Sequence, residues 1–135
     1  MESHIEHVQI NVTNKAQSFP FYKEFLTILE YKVVMEDDQV LGMASKNDSI
    51  WIQQIEEKYK EGTPFHRKRT GINHIALWVS NKDDVDAVTE KFVKPRKLTQ
   101  LYETPKEFPE YTTGYYAVFF EDPDRIKIEV VYHPA

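Results

Sequence analysis

Two histidines stand at matching places in two similar stretches of the chain. Residues 7–12 read HVQINV and residues 74–79 read HIALWV, and in each the residues after the histidine alternate as in a half-buried strand. A second echo lies near the end of each half, where residues 50–53 read IWIQ and residues 126–129 read IKIE. Polar residues that can bind a metal ion therefore occupy corresponding positions of two similar units: His7, Gln53, His74 and Glu129.

Imidazole, amide and carboxylate groups on neighbouring strands can converge on one metal ion. Strands in a sheet lie about 4.8 Å apart, and metal–nitrogen and metal–oxygen bonds of about 2.0–2.2 Å require such convergence. Glu129 lies in the apolar segment IKIEVVY, where a buried carboxylate without a partner would be costly. We therefore predict a metal site at the four residues, with Gln54 as an open alternative to Gln53.

Composition narrows both the metal and the class of protein. The chain has no cysteine, which excludes thiolate ligands and leaves zinc, nickel, cobalt, manganese or iron bound by nitrogen and oxygen. With 22 acidic and 17 basic residues the net charge is −5, which argues against a nucleic-acid partner. The sequence has no apolar run long enough for a membrane helix and no visible signal peptide, so we expect a cytoplasmic protein. His4, His66 and His133 are predicted to be surface or loop residues.

The order of predicted elements is the same in both halves: one strand, one helix, three strands. We expect one domain made of two modules, at about residues 1–56 and 71–135, joined by a linker at about 57–70 with Gly62 and Pro64 at its centre. Periodicity predicts helices at about 18–29 and 82–93. It predicts strands at 5–12, 31–36, 39–45, 49–55, 72–79, 98–103, 114–121 and 125–132.

The strand alternation predicts a polar and aromatic face opposite the helices. An open sheet would leave the two tryptophans of this face in water, so we expect an α+β fold in which the two units pair and their curved sheet closes into a cup around a polar and aromatic pocket. The predicted pocket has five lining residues besides the metal ligands: Asn11, Trp51, Trp78, Tyr115 and Tyr116.

Four motifs carry a resemblance to a known family. They are EHVQINV, FYKEFLTILEYKVV, NHIALWV and FFEDPDRIKIEVV, and they extend over nearly the whole chain. The chain resembles the glyoxalase/bleomycin-resistance/dioxygenase group, the vicinal oxygen chelate superfamily. The resemblance implies paired βαβββ modules that form a curved, incomplete barrel around a divalent metal, with ligands at His7, His74 and Glu129 and with Gln53 where many members have glutamate or glutamine. It also implies a homodimer that builds its pocket from two chains.

Several functions are open within the resemblance. A divalent ion with two neutral histidines, one glutamate and one glutamine keeps a net charge of about +1, which favours a small substrate with adjacent, anionic oxygens. We expect a metal-dependent lyase, isomerase or transferase of glyoxalase type, in which Glu129 could also act as a general base. One alternative is a drug- or antibiotic-binding protein of bleomycin-resistance type that needs no metal. Another is an extradiol-type dioxygenase.

Individual residues separate this chain from characterised classes in the group. Asn11 stands where bacterial glyoxalase I has an arginine that binds the glutathione carboxylate. No arginine follows Glu129, although fosfomycin-inactivating transferases require one. Two positions that are usually glycine in the family are Glu30 and Arg125 here. If Arg125 keeps a positive φ, the substitution costs about 1 kcal/mol.

Overall fold

The first half of the chain is a βαβββ module. In the computed structural model, which describes residues 1–61 and 65–134, this module contains β1 (His7–Val12), α1 (Lys15–Ile28), β2 (Lys32–Glu36), β3 (Val40–Ala44) and β4 (Ser49–Gln54). The sheet order is β1-β4-β3-β2. The β1–β4 pair is parallel and the other pairs are antiparallel. The α1 helix packs on this sheet.

The second half repeats the same order of elements. It contains β5 (Ile75–Trp78), α2 (Lys82–Val88), a π-helical turn (Thr89–Val93), β6 (Gln100–Glu107), β7 (Tyr116–Glu121) and β8 (Lys127–Tyr132). The sheet order is β5-β8-β7-β6, again with one parallel pair, β5–β8. The predicted α+β class and the two βαβββ modules are confirmed.

The chain divides into two compact units, Met1–Thr63 and Pro64–Ala135. The boundary falls inside the predicted linker, where a short 3-10 turn at Glu57–Tyr59 precedes it. Gly62 and Pro64, the predicted centre of the linker, lie outside the described residues. Across the described ranges, no helix is both long and apolar enough to cross a membrane.

Each module buries the apolar face of its sheet against its own helix. In the first module, β1 and β4 contribute Ile10, Val12 and Ile52, and α1 contributes Phe25 and Leu26, all buried. In the second, α2 packs on β7 and β8. Its buried residues are Val85 and Val88 on the helix and Val118, Phe120, Ile128 and Val130 on the strands. Because side chains alternate along a strand, this packing leaves Phe119, Lys127 and Glu129 on the opposite face.

The first helix begins three residues earlier than the sequence predicts. Asn14 caps it, since its side-chain oxygen accepts a hydrogen bond from the backbone N–H of Ala16 at 3.0 Å. Pro20 therefore lies beyond the first turn, where a proline removes one helical hydrogen bond. The helix ends in a Schellman motif: Glu30 N–H donates to Thr27 O and Tyr31 N–H to Leu26 O.

Both positions where the family usually has glycine adopt left-handed backbone. Glu30, which follows α1, and Arg125, in the turn before β8, each have φ of 66°. In that turn the Asp122 carboxylate accepts hydrogen bonds from the N–H groups of Asp124 and Ile126, each at 2.8 Å. Because Arg125 keeps a positive φ, its side chain lowers the stability of the fold by about 1 kcal/mol relative to glycine.

Candidate metal centre

His74 and Glu129 meet on the helix-free face of the second sheet. In the parallel β5–β8 pair, Ala76 is the register partner of Glu129, which places His74 two residues before that partner. The Nε2 atom of His74 lies 3.0 Å from Oε2 of Glu129. The Glu129 side chain is almost entirely buried at 2% exposure, whereas that of His74 is one-third exposed. The structure thus brings together two of the four predicted ligands.

The hydrogen bonds of His74 determine what can lie between it and Glu129. Its Nδ1 atom is 2.8 Å from Oδ1 of Asn73, an acceptor, so Nδ1 carries the proton in the neutral ring. The Nε2 lone pair then faces a carboxylate oxygen, and two acceptors require a proton or a cation between them. An imidazole nitrogen and a carboxylate oxygen are the donor types that a divalent cation of this group would bind. The pair therefore fits a divalent cation.

The second oxygen of Glu129 is held by Tyr115. The Tyr115 hydroxyl donates a hydrogen bond to Oε1 of Glu129. Burial and, in smaller part, this hydrogen bond and the negative charge of Glu129 raise the pKa of Tyr115 well above its ordinary value. The Tyr115 ring stacks on His133, with centroids 5.8 Å apart and planes within 8°. A phenol that remains neutral is a permanent donor to the carboxylate, so Tyr115 fixes the orientation of Glu129.

Aromatic rings enclose the pair on the same face. Phe119, the register partner of Glu129 on β7, lies edge-on to His74 with centroids 6.0 Å apart. Phe119 also packs with Phe108, Ala117 and Val131 in a buried cluster. These groups lower the effective dielectric around the carboxylate and strengthen its interaction with any cation.

His7, in the first module, is more exposed than His74 and contacts a different carboxylate. Its side chain is 54% exposed, and its Nδ1 atom contacts the Glu6 carboxylate. Because a carboxylate is an acceptor, Nδ1 carries the proton in the neutral ring and Nε2 keeps the lone pair that a metal ligand needs. Asn11, four residues further along β1 on the same face as His7, is also exposed. Neither module by itself brings three such ligands together among the described residues.

Strand register places Trp51, not Gln53, at the position that matches Glu129. Two residues after His74, Ala76 pairs with Glu129; two residues after His7, Gln9 pairs with Trp51. Gln53 lies two residues after Trp51 on the same face of β4. Its Nε2 atom donates to the backbone oxygen of Gln54 at 3.0 Å. The role of Gln53 as a ligand therefore stays a prediction.

The Trp51 indole lies directly over Gly42. Gly42 is its register partner on β3, and a Cβ atom at that residue would come within 2.6 Å of the indole ring. The ring nitrogen donates to the Ser49 hydroxyl at 3.0 Å, which fixes the indole in place. A glycine on β3 thus creates the space that this aromatic side chain occupies.

The remaining predicted pocket residues separate into two groups. Trp78 is 57% exposed and its ring nitrogen donates to the His133 backbone oxygen at 3.4 Å, so it lies near the Glu129 face. Tyr116 points to the helix side of the sheet instead, because its hydroxyl donates to Asp86 of α2 at 2.7 Å. Burial and this hydrogen bond raise the pKa of Tyr116 to about 12.

Sequence reasoning missed His133 on this face, and it placed Lys127 there without predicting that the lysine is buried. His133 was expected on the surface, but it is half-buried and stacks on Tyr115. Lys127 is 7% exposed and lies two residues before Glu129. The only available signal for Lys127 was its place in the alternation of the last strand, which also fits an exposed lysine.

Comparison with known proteins defines the family. The model of the glyoxalase/bleomycin resistance protein/dioxygenase superfamily matches residues 4–130. The chain belongs to this superfamily. Among curated members, the uncharacterised protein YqjT of Bacillus subtilis (strain 168) is 34% identical over 128 residues, covering 94% of this chain and 97% of YqjT.

Solved structures of the superfamily share the fold. A candidate glyoxalase from Bacillus halodurans is 35% identical, with a TM-score of 0.85 over 96% of this chain and 95% of that one. A lactoylglutathione lyase from Agrobacterium tumefaciens matches with a TM-score of 0.67 at 16% identity, covering 97% and 94% of the two chains. At that identity the similarity concerns the fold alone.

Proposed function

We propose that the protein is a divalent-metal-dependent lyase, isomerase or transferase of glyoxalase type. Its substrate would be a small molecule with two adjacent oxygens. The observation that carries the proposal is the 3.0 Å contact between Nε2 of His74 and a buried carboxylate oxygen of Glu129. We propose His7 as the third ligand, as family membership implies, and keep Gln53 as a possible fourth.

The residues of the chain have distinct roles in this reaction. A bound divalent ion would supply Lewis-acid stabilisation of negative charge that develops on a substrate oxygen. His74 and His7 contribute no charge as neutral imidazoles, so with Glu129 a net charge of about +1 remains to attract an anionic oxygen pair. Glu129 is also the proposed general base, because a carboxylate beside the reacting atoms can accept a proton. Tyr115 orients that carboxylate through its hydrogen bond.

Sequestration of an aromatic drug or antibiotic is the second candidate function. It is favoured by Trp78, which is 57% exposed, and by Trp51, whose indole lies against Gly42 on the same face of the first sheet as His7. Flat, accessible rings of this kind can stack on a planar ligand. Such binding would need neither His74 nor Glu129, so substitutions at those residues separate the two functions.

Turnover assays test the proposed chemistry. The protein, reconstituted in turn with nickel, zinc, manganese and ferrous ion, is assayed with a thiol–aldehyde hemithioacetal, with fosfomycin plus a thiol, and with a catechol. We expect metal-dependent turnover of one class, abolished in Glu129→Gln and retained in His66→Ala, which removes a loop histidine. Turnover that persists in Glu129→Gln would contradict the assigned role of the carboxylate. A loss of activity in both variants would mean that the assay does not report on this site.

We further propose a cytoplasmic homodimer. Its support is family membership and the exposed polar face of β1, with His7, Gln9 and Asn11, which a second chain would cover. Light scattering at micromolar concentration is expected to give twice the mass of the 135-residue chain. A monomer would contradict this proposal and leave the assigned ligands to be tested separately.

A further inference from the structure

Lys127 is a buried cation on the same face of the second sheet as Glu129. The residue is 7% exposed, and its ammonium lies 4.8 Å from the centroid of the Tyr102 ring and 4.7 Å from that of Phe119. Within the described residues, the ammonium donates one hydrogen bond, to the Tyr102 hydroxyl at 3.0 Å. No carboxylate of the described residues lies within 4.0 Å of this ammonium.

The acidic side chain opposite Lys127 on the neighbouring strand, Glu121, is already paired. Glu121 is the register partner of Lys127 on β7. Its Oε1 atom lies 3.3 Å from the Arg67 guanidinium and its Oε2 atom 3.4 Å from that of Arg125. Glu121 therefore already has two cationic partners other than Lys127. Burying a charge without an opposite charge is unfavourable, so this arrangement requires a reason.

Tyr102, the hydrogen-bond partner of the buried ammonium, is itself partly exposed. It is 48% exposed and has a φ of 62°, and Glu103 after it has a φ of 56°. Two consecutive non-glycine residues in left-handed backbone are strained, and such strain is concentrated at functional sites. The hydrogen bond from Lys127, and in smaller part the positive charges of Lys127 and Arg67, lower the pKa of Tyr102. The surroundings of this hydroxyl therefore favour negative charge.

We propose that Lys127 and the Tyr102 hydroxyl form a subsite for an oxyanion group of the substrate, a carboxylate or a phosphonate. The two residues supply a charged donor and a hydroxyl donor, which suits a charge-assisted hydrogen-bonded contact. Residues two apart on a strand are separated by about 7 Å, so this subsite lies about that far along β8 from Glu129. The inference rests on the proposed function. It makes the substrate a small acid with adjacent oxygens at one end and the anionic group at the other.

Anion binding to the metal-free protein tests the subsite directly. Inorganic phosphate and acetate are titrated calorimetrically into the intact chain, into Lys127→Met, and into the control Lys106→Met. Lys106 is a matched control because its ammonium also lies over an aromatic ring, 5.1 Å from that of Phe108, but on an exposed residue. We expect the wild type and Lys106→Met to bind at least one probe equally well. Lys127→Met should bind it about tenfold more weakly or not at all.

The two probes distinguish the possible sources of the anion. Preference for phosphate identifies a phosphonate or phosphate group, and preference for acetate identifies a carboxylate. Equal binding by the wild type and Lys127→Met, or no binding of either probe to the wild type, overturns the proposal. If Lys127→Met does not fold, Tyr102→Phe replaces it, with a several-fold loss of anion affinity expected. An unchanged affinity in Tyr102→Phe would then overturn the subsite.

Manganese binding to the same proteins separates this inference from the proposed function. Lys127→Met is expected to bind manganese as the wild type does, because the lysine is not a ligand. Manganese binding without Lys127-dependent anion binding would refute the subsite alone. Lys127-dependent anion binding in a protein that binds no divalent metal would refute the proposed function and leave the anion subsite in place.

Discussion

Replacing Tyr115 by phenylalanine should destabilise the metal-free protein and weaken its binding of metal. The substitution removes only the hydroxyl that donates to Oε1 of Glu129. The ring itself, with its contacts to Phe108 and His133, is kept. The variant therefore isolates one hydrogen bond to a buried carboxylate.

The burial of Glu129 sets the size of the effect. With a residue exposure of 1%, its Oε1 atom has no access to water that could replace the lost donor. A hydrogen bond to a charged group contributes about 1.5–3 kcal/mol, and we expect a loss of at least this size. Because the same hydrogen bond orients the carboxylate toward His74, we also expect divalent-metal affinity to fall by about tenfold, as for partners that orient a metal ligand.

Urea denaturation of the metal-free protein, followed by manganese titration of the folded protein, measures both effects. Tyr111→Phe is the matched control, because Tyr111 belongs to the same aromatic cluster but is 63% exposed. We expect a change within about 0.5 kcal/mol for the control. The reasoning is refuted if the two variants are indistinguishable in both stability and manganese affinity.

Three further predictions follow from the backbone and from Tyr116. Gly42→Ala should displace the Trp51 indole, which the new Cβ would approach to 2.6 Å, and tryptophan fluorescence should report a changed environment while circular dichroism stays the same. Arg125→Gly should stabilise the protein by about 1 kcal/mol in urea denaturation, because φ is 66° there, the arginine side of the lost ion pair is exposed, and Glu121 keeps Arg67 as a partner. Burial and the hydrogen bond to Asp86 raise the pKa of Tyr116 from 10.0 to about 12. The resulting stabilisation should be complete below pH 10 and lost as the pH rises to 12, and Tyr116→Phe should lack this loss.

The sequence predicted the repeat and the proximity of two of the four candidate ligands. Alternation in HIALWV and in IKIEVV placed His74 and Glu129 on one face, and the structure brings them within 3.0 Å. This succeeded because side chains alternate strictly along a strand and the two strands are neighbours in a βαβββ module. The burial of Glu129 was also foreseeable, since the carboxylate lies within an apolar segment.

Strand register was not accessible from the sequence. The similarity between IWIQ and IKIE aligns Gln53 with Glu129. The register of β1 with β4 instead aligns Trp51 with Glu129. A shift of two residues keeps every side chain on the same face, so the alternation alone cannot detect it. Gly42, which accommodates the indole, was the one sequence feature on β3 that favoured Trp51.

Two contacts around Glu129 and Lys127 were not predicted because they join residues that are far apart in the sequence. Tyr115 was predicted as a pocket residue but not as the donor to Glu129, because the loop before β7 has no periodicity to orient it. The pairing of β6 with β7 shifts register between Leu101 and Lys106, where Tyr102 and Glu103 have positive φ, and neither is a residue type that signals left-handed backbone. The contact of Tyr102 with Lys127 therefore had no local sequence signal.

Metal content of the untagged protein, measured by mass spectrometry, tests the central claim most directly. The wild type is compared with His7→Ala, Glu129→Ala and the loop control His66→Ala. We predict close to one divalent ion per chain in the wild type and in His66→Ala, and its loss in the other two variants. A wild type that stays metal-free after incubation with nickel, zinc, manganese and ferrous ion, or metal retained in Glu129→Ala, would contradict the account.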